Sequence, residues 1–289
     1  MEIHRDHMVK KAHFVTGKGG VGKSLFAAVL ARTLSLENQH VLLTELNETS
    51  FYKDYLDLPD VSYKPVPWIK NLDVCQWNPE DCLKEYALHL LKIERLYKLF
   101  LENPVSKSLI QIAPGLQEIA LLGKVTSSPR CHGPPMNYDQ LVIDSFSTGH
   151  FLTLLRAPSA LSEAIQFGPM GEQSRSIDRW IRNPEFTQIH LVTLPEELPI
   201  TESIELYKTV VSEFKLKPLV YLNKVFNLKS DELFNLSPLI KKDFELHIDQ
   251  EKKARAMLRK YDIDFIELPM VTSIKSKTLI KVLSEGLNV

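Results

Sequence analysis

Cysteine is scarce in this 289-residue chain: Cys75, Cys82 and Cys131 are an odd number, and no two of them form a C-x-x-C pair. Neither a disulfide framework nor a cysteine-based zinc site is expected, and a reducing compartment fits this usage. Long apolar runs are also missing. No stretch approaches the roughly 18 uninterrupted apolar residues that a membrane-spanning helix needs, so no integral membrane segment is expected. The opening MEIHRDHMVKK is charged and runs straight into an apolar strand, without the apolar core and small-residue cleavage site of a secretory leader. A cytoplasmic location is the expectation. Nor is there an excess of one charge: 35 Lys and Arg stand against 36 Asp and Glu, a formal net charge of -1. Nucleic acid is therefore not expected as a partner, because a basic surface is not advertised.

What is present is ordinary globular composition, 44% hydrophobic and 25% charged, enough for one large α/β domain. With no internal repeat and no low-complexity linker, residues 1–289 read as a single domain. Short apolar runs at residues 12–16, 40–45, 72–76, 141–144, 189–193, 218–222 and 264–267 read as strands, separated by helical patterns such as residues 201–214. Strands alternating with helices imply an α/β fold with a mostly parallel sheet flanked by helices on both faces. Residues 79–125, after the strand at 72–76, read as a helical subregion. The proline-rich SYKPVPW of residues 62–68 reads as loop.

Four of the eleven glycines fall within eight residues. Gly17, Lys18, Gly19, Gly20, Val21, Gly22, Lys23 and Ser24 fit the P-loop pattern G-x-x-x-x-G-K-[ST], and they lie between a strand and a helix, the setting that gives the pattern its meaning and makes the expected α/β fold that of a P-loop NTPase. Missing side chains let backbone N–H groups curl round phosphates, and the helix aims its positive end at the same anion. Lys23 is expected to reach the β- and γ-phosphate oxygens of ATP, and the Ser24 hydroxyl to ligate Mg2+. Asp144, a carboxylate ending the strand LVID, is expected to serve the same ion.

The string GKGGVGKS resembles the deviant Walker A loop of the family that includes the arsenite-pump ATPase (ArsA), the eukaryotic tail-anchored-protein targeting ATPase, MinD, ParA and the nitrogenase iron protein. The resemblance implies that Lys18 crosses a dimer interface to touch phosphate in the partner's site. The segment YDQLVIDSFSTGHFLTLLRAP (residues 138–158) is similar to a signature of the arsenite-pump and tail-anchor-targeting branch, matching at Asp144, Thr148, Gly149, His150 and Leu155. That turn is the natural second switch. LVYLNKV looks like an element whose asparagine, here Asn223, reads adenine. An Asn amide pairs with N6 and N7 of that base.

Departures accompany the match. The first switch of that branch carries an aspartate that positions the attacking water, whereas here Glu45 stands in its place, followed by Leu46-Asn47-Glu48-Thr49. Glu48 is a possible substitute. Water positioning is sensitive to offsets of about 1 Å, so slow turnover is consistent with this loop. The C-x-x-C zinc clasp of the targeting proteins is absent, no metalloid site is evident, and residues 159–186 are half polar where that branch builds an apolar client-binding insertion. The basic stretch DQEKKARAMLRK (residues 249–260) reads as a solvated helix face.

The implied function is a cytoplasmic ATPase that hydrolyses MgATP through Lys18, Lys23, Glu45 and Asp144, using closure of a homodimer, or of a heterodimer with a paralogue, as a switch for a protein client. Two alternatives stand beside it: a hydrolysis-impaired nucleotide-binding subunit pairing with a paralogue, and a ParA- or MinD-like positioning ATPase.

Overall fold

The computed structural model describes residues 11–46, 49–91, 115–226, 238–271 and 275–287. Within them, strands β1 (Lys11–Thr16), β2 (Val41–Glu45), β3 (Val66–Ile69), β4 (Leu72–Gln76), β5 (Gln140–Asp144), β6 (Thr187–Thr193), β7 (Leu219–Val225) and β8 (Phe265–Pro269) form one sheet. Its order is β3-β4-β2-β5-β1-β6-β7-β8. Every neighbouring pair is parallel except β3 with β4. The central strands β1 and β6 are buried at all but one position, and β2 and β5 are buried throughout, as strands covered on both faces must be.

Side chains alternate between the two faces. Ala12, Phe14, Leu42, Leu141 and Ile143 point into one core, shared with α4 (Leu116–Val125), α5 (Thr148–Ala164), α6 (Pro169–Ile181) and α7 (Glu197–Thr209). Val15, Val41, Leu43 and Val142 point into the other, shared with α1 (Lys23–Leu36), α2 (Phe51–Tyr55) and α9 (Ser276–Gly286). The expected helical subregion contributes α3 (Pro79–Leu91) and α4; residues 92–114 between them lie outside the described residues. The basic stretch forms the end of α8 (Pro238–Lys260). One side of it packs inward through Ala254 and Leu258, and Arg255 pairs with Glu251 and Glu267.

Two sequence expectations are corrected. Residues 66–68 of the segment read as loop belong to β3, an antiparallel strand at the sheet edge. A proline is tolerated there because an edge strand has one side without a ladder, and the register shift between Pro67 and Ile69 absorbs the missing N–H. Asn223 does not follow its strand but lies inside β7, where the pairing with β8 shifts between Leu222 and Val225 and Lys224 takes φ 59°. Such a bulge re-aims the side chain beside it.

Candidate functional site

β1 is central, between β5 and β6, and parallel pairing brings neighbouring strand ends level. Val15 and Glu45 are both in register with Asp144. The loop after β1 therefore opens among the carboxyl ends of β2, β5 and β6, where an open α/β sheet receives its ligand. Residues 17–24, Glu45, Asp144 and Asn223 all converge here, although their sequence positions span more than two thirds of the chain.

The sheet itself dictates two of the glycines. Gly17 takes φ +147°, and a Cβ there would stand 2.1 Å from the Val192 carbonyl oxygen of β6. Gly22 takes φ +95°, and a Cβ would meet Asn223 Nδ2 at 2.6 Å. Gly19 and Gly20 border open space, so the cradle is closed by the sheet on one side and open on the other. Val21 is buried in the α1-side core and anchors the loop between them.

Lys23 folds back over the loop and its Nζ donates to the Lys18 carbonyl at 3.1 Å. Burial pushes its pKa down, and the Asp144 carboxylate opposes that shift. An ammonium carries three donors, and the single carbonyl it holds among the described residues leaves capacity for an anion in the cradle. Lys18 Nζ forms an ion pair with Glu202 of α7. Asn223 Nδ2 donates to the Val21 carbonyl at 2.8 Å, while the Lys224 N–H donates to Asn223 Oδ1 at 2.9 Å.

Asp144 is 2% exposed. Burial raises its pKa to about 6, against the Ser24 hydroxyl, the Lys23 charge and the Tyr52 hydroxyl, all of which favour the carboxylate. One buried carboxylate beside a hydroxyl is the sparse donor set that suits Mg2+, which keeps most of its water and takes phosphate oxygens. The residues present fit MgATP: an anion cradle that a Cβ would fill, an under-partnered lysine, and a Ser24–Asp144 pair.

Tyr52 carries no recognisable sequence signal. Its hydroxyl sits 3.0 Å from the Ser24 carbonyl oxygen and 3.2 Å from Asp144 Oδ2. Glu45 ends β2 as expected and is wholly buried. Its carboxylate accepts from Ser50 Oγ and from the Phe51 N–H, the latter at 2.9 Å, and so satisfies a donor that the first turn of α2 leaves open. Burial raises its pKa, opposed by these two bonds. Glu48 lies outside the described residues.

The turn after β5 is tied to β1 by Thr16 Oγ1, which donates to the Phe146 carbonyl at 2.9 Å. From there α5 starts at Thr148, with Gly149 and His150 exposed and the His150 ring edge-on to Phe146.

Elsewhere, a cavity of about 390 Å³ opens between α3, α4 and α6, walled by Leu83, Ile119, Ala120, Met170 and Ile177. None of its walls belongs to the phosphate loop or the strand ends around it. The half-polar segment after α5 thus presents an apolar side. Among the described residues no cluster of three His, Cys, Asp or Glu could hold a metal, and no helix is long and apolar enough to cross a membrane.

Residues 10–170 match the family model of the anion-transporting ATPases. The chain is 27% identical over 271 residues to the ATPase BagA of Mycobacterium tuberculosis, covering 91% of this chain and 74% of that protein. It is 28% identical over 211 residues to the arsenical pump-driving ATPase of Escherichia coli, covering 70% of this chain but 33% of the longer protein. To the ATPase ASNA1 homolog of Entamoeba dispar it is 25% identical over 237 residues, 69% of this chain and 71% of that one.

Proposed function

The chain is an ATPase of the anion-transporting ATPase family, and from that premise we propose that it binds MgATP in residues 17–24 and uses nucleotide-dependent dimer closure as a switch for a protein partner. The observation that carries this reading is the glycine cradle closed by Val192 and Asn223, with Lys18 and Lys23 both gathered at it.

In this reading Lys23 leaves the Lys18 carbonyl for the β- and γ-phosphate oxygens, and the backbone N–H groups of residues 19–23 line the rest of the anion. Ser24 and Asp144 hold the Mg2+ ion, which supplies charge neutralisation for the transferred phosphoryl group. Glu45 orients the attacking water once the start of α2 releases its carboxylate. Asn223 retains one N–H and one oxygen lone pair beyond the two bonds it makes, enough to pair with adenine. Lys18 reaches phosphate in a second subunit. The rate gain comes from positioning and charge stabilisation rather than covalent chemistry.

A second reading is favoured by one observation: both oxygens of Glu45 are engaged at the start of α2. It is an ATPase of low intrinsic turnover whose dimer partner is a paralogue supplying an efficient first switch. Lys18→Ala tests the leading reading. ATP turnover and association of the purified chain with a non-hydrolysable ATP analogue are both expected to fall sharply, and if both stay at the unaltered level, the trans role of Lys18 is wrong. Turnover that appears only on adding a paralogue selects the second reading.

A further inference from the structure

Lys18 is held in place twice, once through its backbone and once through its side chain. Its carbonyl accepts from Lys23 Nζ at 3.1 Å, and Lys23 is the residue that must turn away to meet phosphate. Its own ammonium pairs with Glu202 Oε1, on α7, 184 residues further along the chain. The other oxygen of the same carboxylate, Oε2, accepts from Thr148 Oγ1 at 3.3 Å. Thr148 is the first residue of α5, next to exposed Gly149 in the turn that follows Asp144. One carboxylate therefore spans the phosphate loop and the second switch turn.

The ion pair holds the Lys18 ammonium against its own subunit and so competes with any anion the same ammonium would meet in another. Both partners are about one third exposed, 32% and 35%, so water can replace either one and the pair is reversible. Nothing else in the mechanism uses Glu202. It is neither a cradle residue nor a ligand of the Ser24–Asp144 pair.

We propose that Glu202 is a positioning residue that holds Lys18 in cis and releases it when the Thr148 turn shifts, setting how much nucleotide is needed to close a dimer of two copies of this chain. The inference rests on the trans role given to Lys18 above. Lys23 moving to phosphate frees the backbone of Lys18, movement of the Thr148 turn draws Glu202 Oε2 away, and the two releases together deliver Lys18 to the interface.

The test follows self-association by sedimentation velocity across a titration of a non-hydrolysable ATP analogue with Mg2+, in the unaltered chain, Glu202→Gln, Lys18→Ala and the double variant. Partly exposed ion pairs are weak, so Glu202→Gln is expected to lower the half-dimerising analogue concentration by about two- to five-fold. Lys18→Ala is expected to abolish association, and the double variant to match Lys18→Ala, because Glu202 acts only through Lys18. Glu202→Asp, one methylene too short to span both partners, is expected to shift the same way as Glu202→Gln and guards against a folding defect in either. If Lys18→Ala abolishes association while Glu202→Gln and Glu202→Asp leave it unchanged or weaken it, the latch is wrong and the trans lysine stands. If Lys18→Ala associates normally, or the unaltered chain does not associate at all, the dimer reading fails and the latch falls with it.

Discussion

The Tyr52 hydroxyl lies 3.0 Å from the Ser24 carbonyl oxygen and 3.2 Å from Asp144 Oδ2, so one proton serves two acceptors, one in the first turn of α1 and one at the end of β5. Tyr52 is completely buried, and burial together with the nearby Asp144 and Glu45 charges pushes its pKa far up. It stays a neutral donor at any working pH. Its ring packs in the α1-side core, which fixes the hydroxyl where α2 meets the phosphate-loop helix.

Tyr52→Phe keeps that ring and removes only the donor. Leaving a buried carboxylate and a buried carbonyl short of a partner costs about 1–3 kcal/mol, read as a lower urea midpoint. Asp144 also loses a bond that orients it, so the Mg2+ concentration for half-maximal ATP turnover is expected to rise several-fold. A variant with unaltered Mg2+ dependence would confine Tyr52 to packing.

Alanine at the two closed positions of the cradle separates folding from binding. At Gly17 the added Cβ meets a backbone carbonyl that cannot rotate away, so Gly17→Ala is expected to lower the unfolding midpoint of the whole chain. At Gly22 it meets the end of a side chain, and the remaining cost is the left-handed backbone, about 1–2 kcal/mol. Gly22→Ala is expected to stay folded yet displace Asn223 and weaken a fluorescent ATP analogue by ten-fold or more. Equal nucleotide affinity in Gly22→Ala and the unaltered chain would show that Asn223 does not brace the loop.

Two histidines sit inside the core. His13 Nδ1 and His190 Nε2 share a proton at 2.9 Å, His13 Nε2 bonds Gln140 Oε1 at 3.1 Å, and His190 Nδ1 bonds the Tyr221 hydroxyl at 3.1 Å. Burial lowers the His13 pKa from 6.5 to about 4 and holds that of His190 well below its ordinary value. The unfolded chain therefore binds protons that the folded chain refuses. Stability is undisturbed above pH 6.5 and is lost as pH falls from there towards 4, by about 3 kcal/mol from His13. Asp144, raised to about 6 by burial, acts in the opposite sense over much of the same range, so the histidine contribution is read as a difference. From pH 7.5 through 6 to 4.5 the urea midpoint of the unaltered chain is expected to drop relative to that of His13→Gln, which keeps a hydrogen-bonding side chain without a titrating ring. A parallel fall in both would place the acid sensitivity elsewhere.

Legibility in the sequence follows range. The phosphate loop is local: its glycines, its lysines and its place between a strand and a helix all fall within residues 11–36, and the sheet follows from apolar runs that need no distant partner. Tyr52 depends on residues 28 and 92 positions away, and Glu202 on one 184 away, so neither pattern nor spacing could mark them. β3 was hidden because Pro65 and Pro67 punctuate a segment whose pairing with β4 only the edge position permits. Asn223 was identified but its setting was not, since a bulge within β7 leaves no residue signature beyond Lys224 adopting positive φ.

In the proposed mechanism Glu45 decides how the site turns over. Its carboxylate ends a strand in register with Asp144, yet both oxygens are committed to Ser50 and Phe51 at the start of α2. Glu45→Gln has the same length and keeps one acceptor oxygen, so it is expected to cost about 1 kcal/mol of stability, the scale of a lost helix-end bond. If the carboxylate is freed to orient water during turnover, the variant's kcat is expected to fall by about 100-fold or more while the KM for ATP changes little, since the loss is confined to the transition state. Single-turnover kinetics with saturating ATP, corrected for the folded fraction measured by near-UV circular dichroism, isolates that step. A kcat per folded molecule equal to the unaltered chain's would make Glu45 a brace for α2 alone, and the attacking water would then need its carboxylate from another residue or from a second, different subunit.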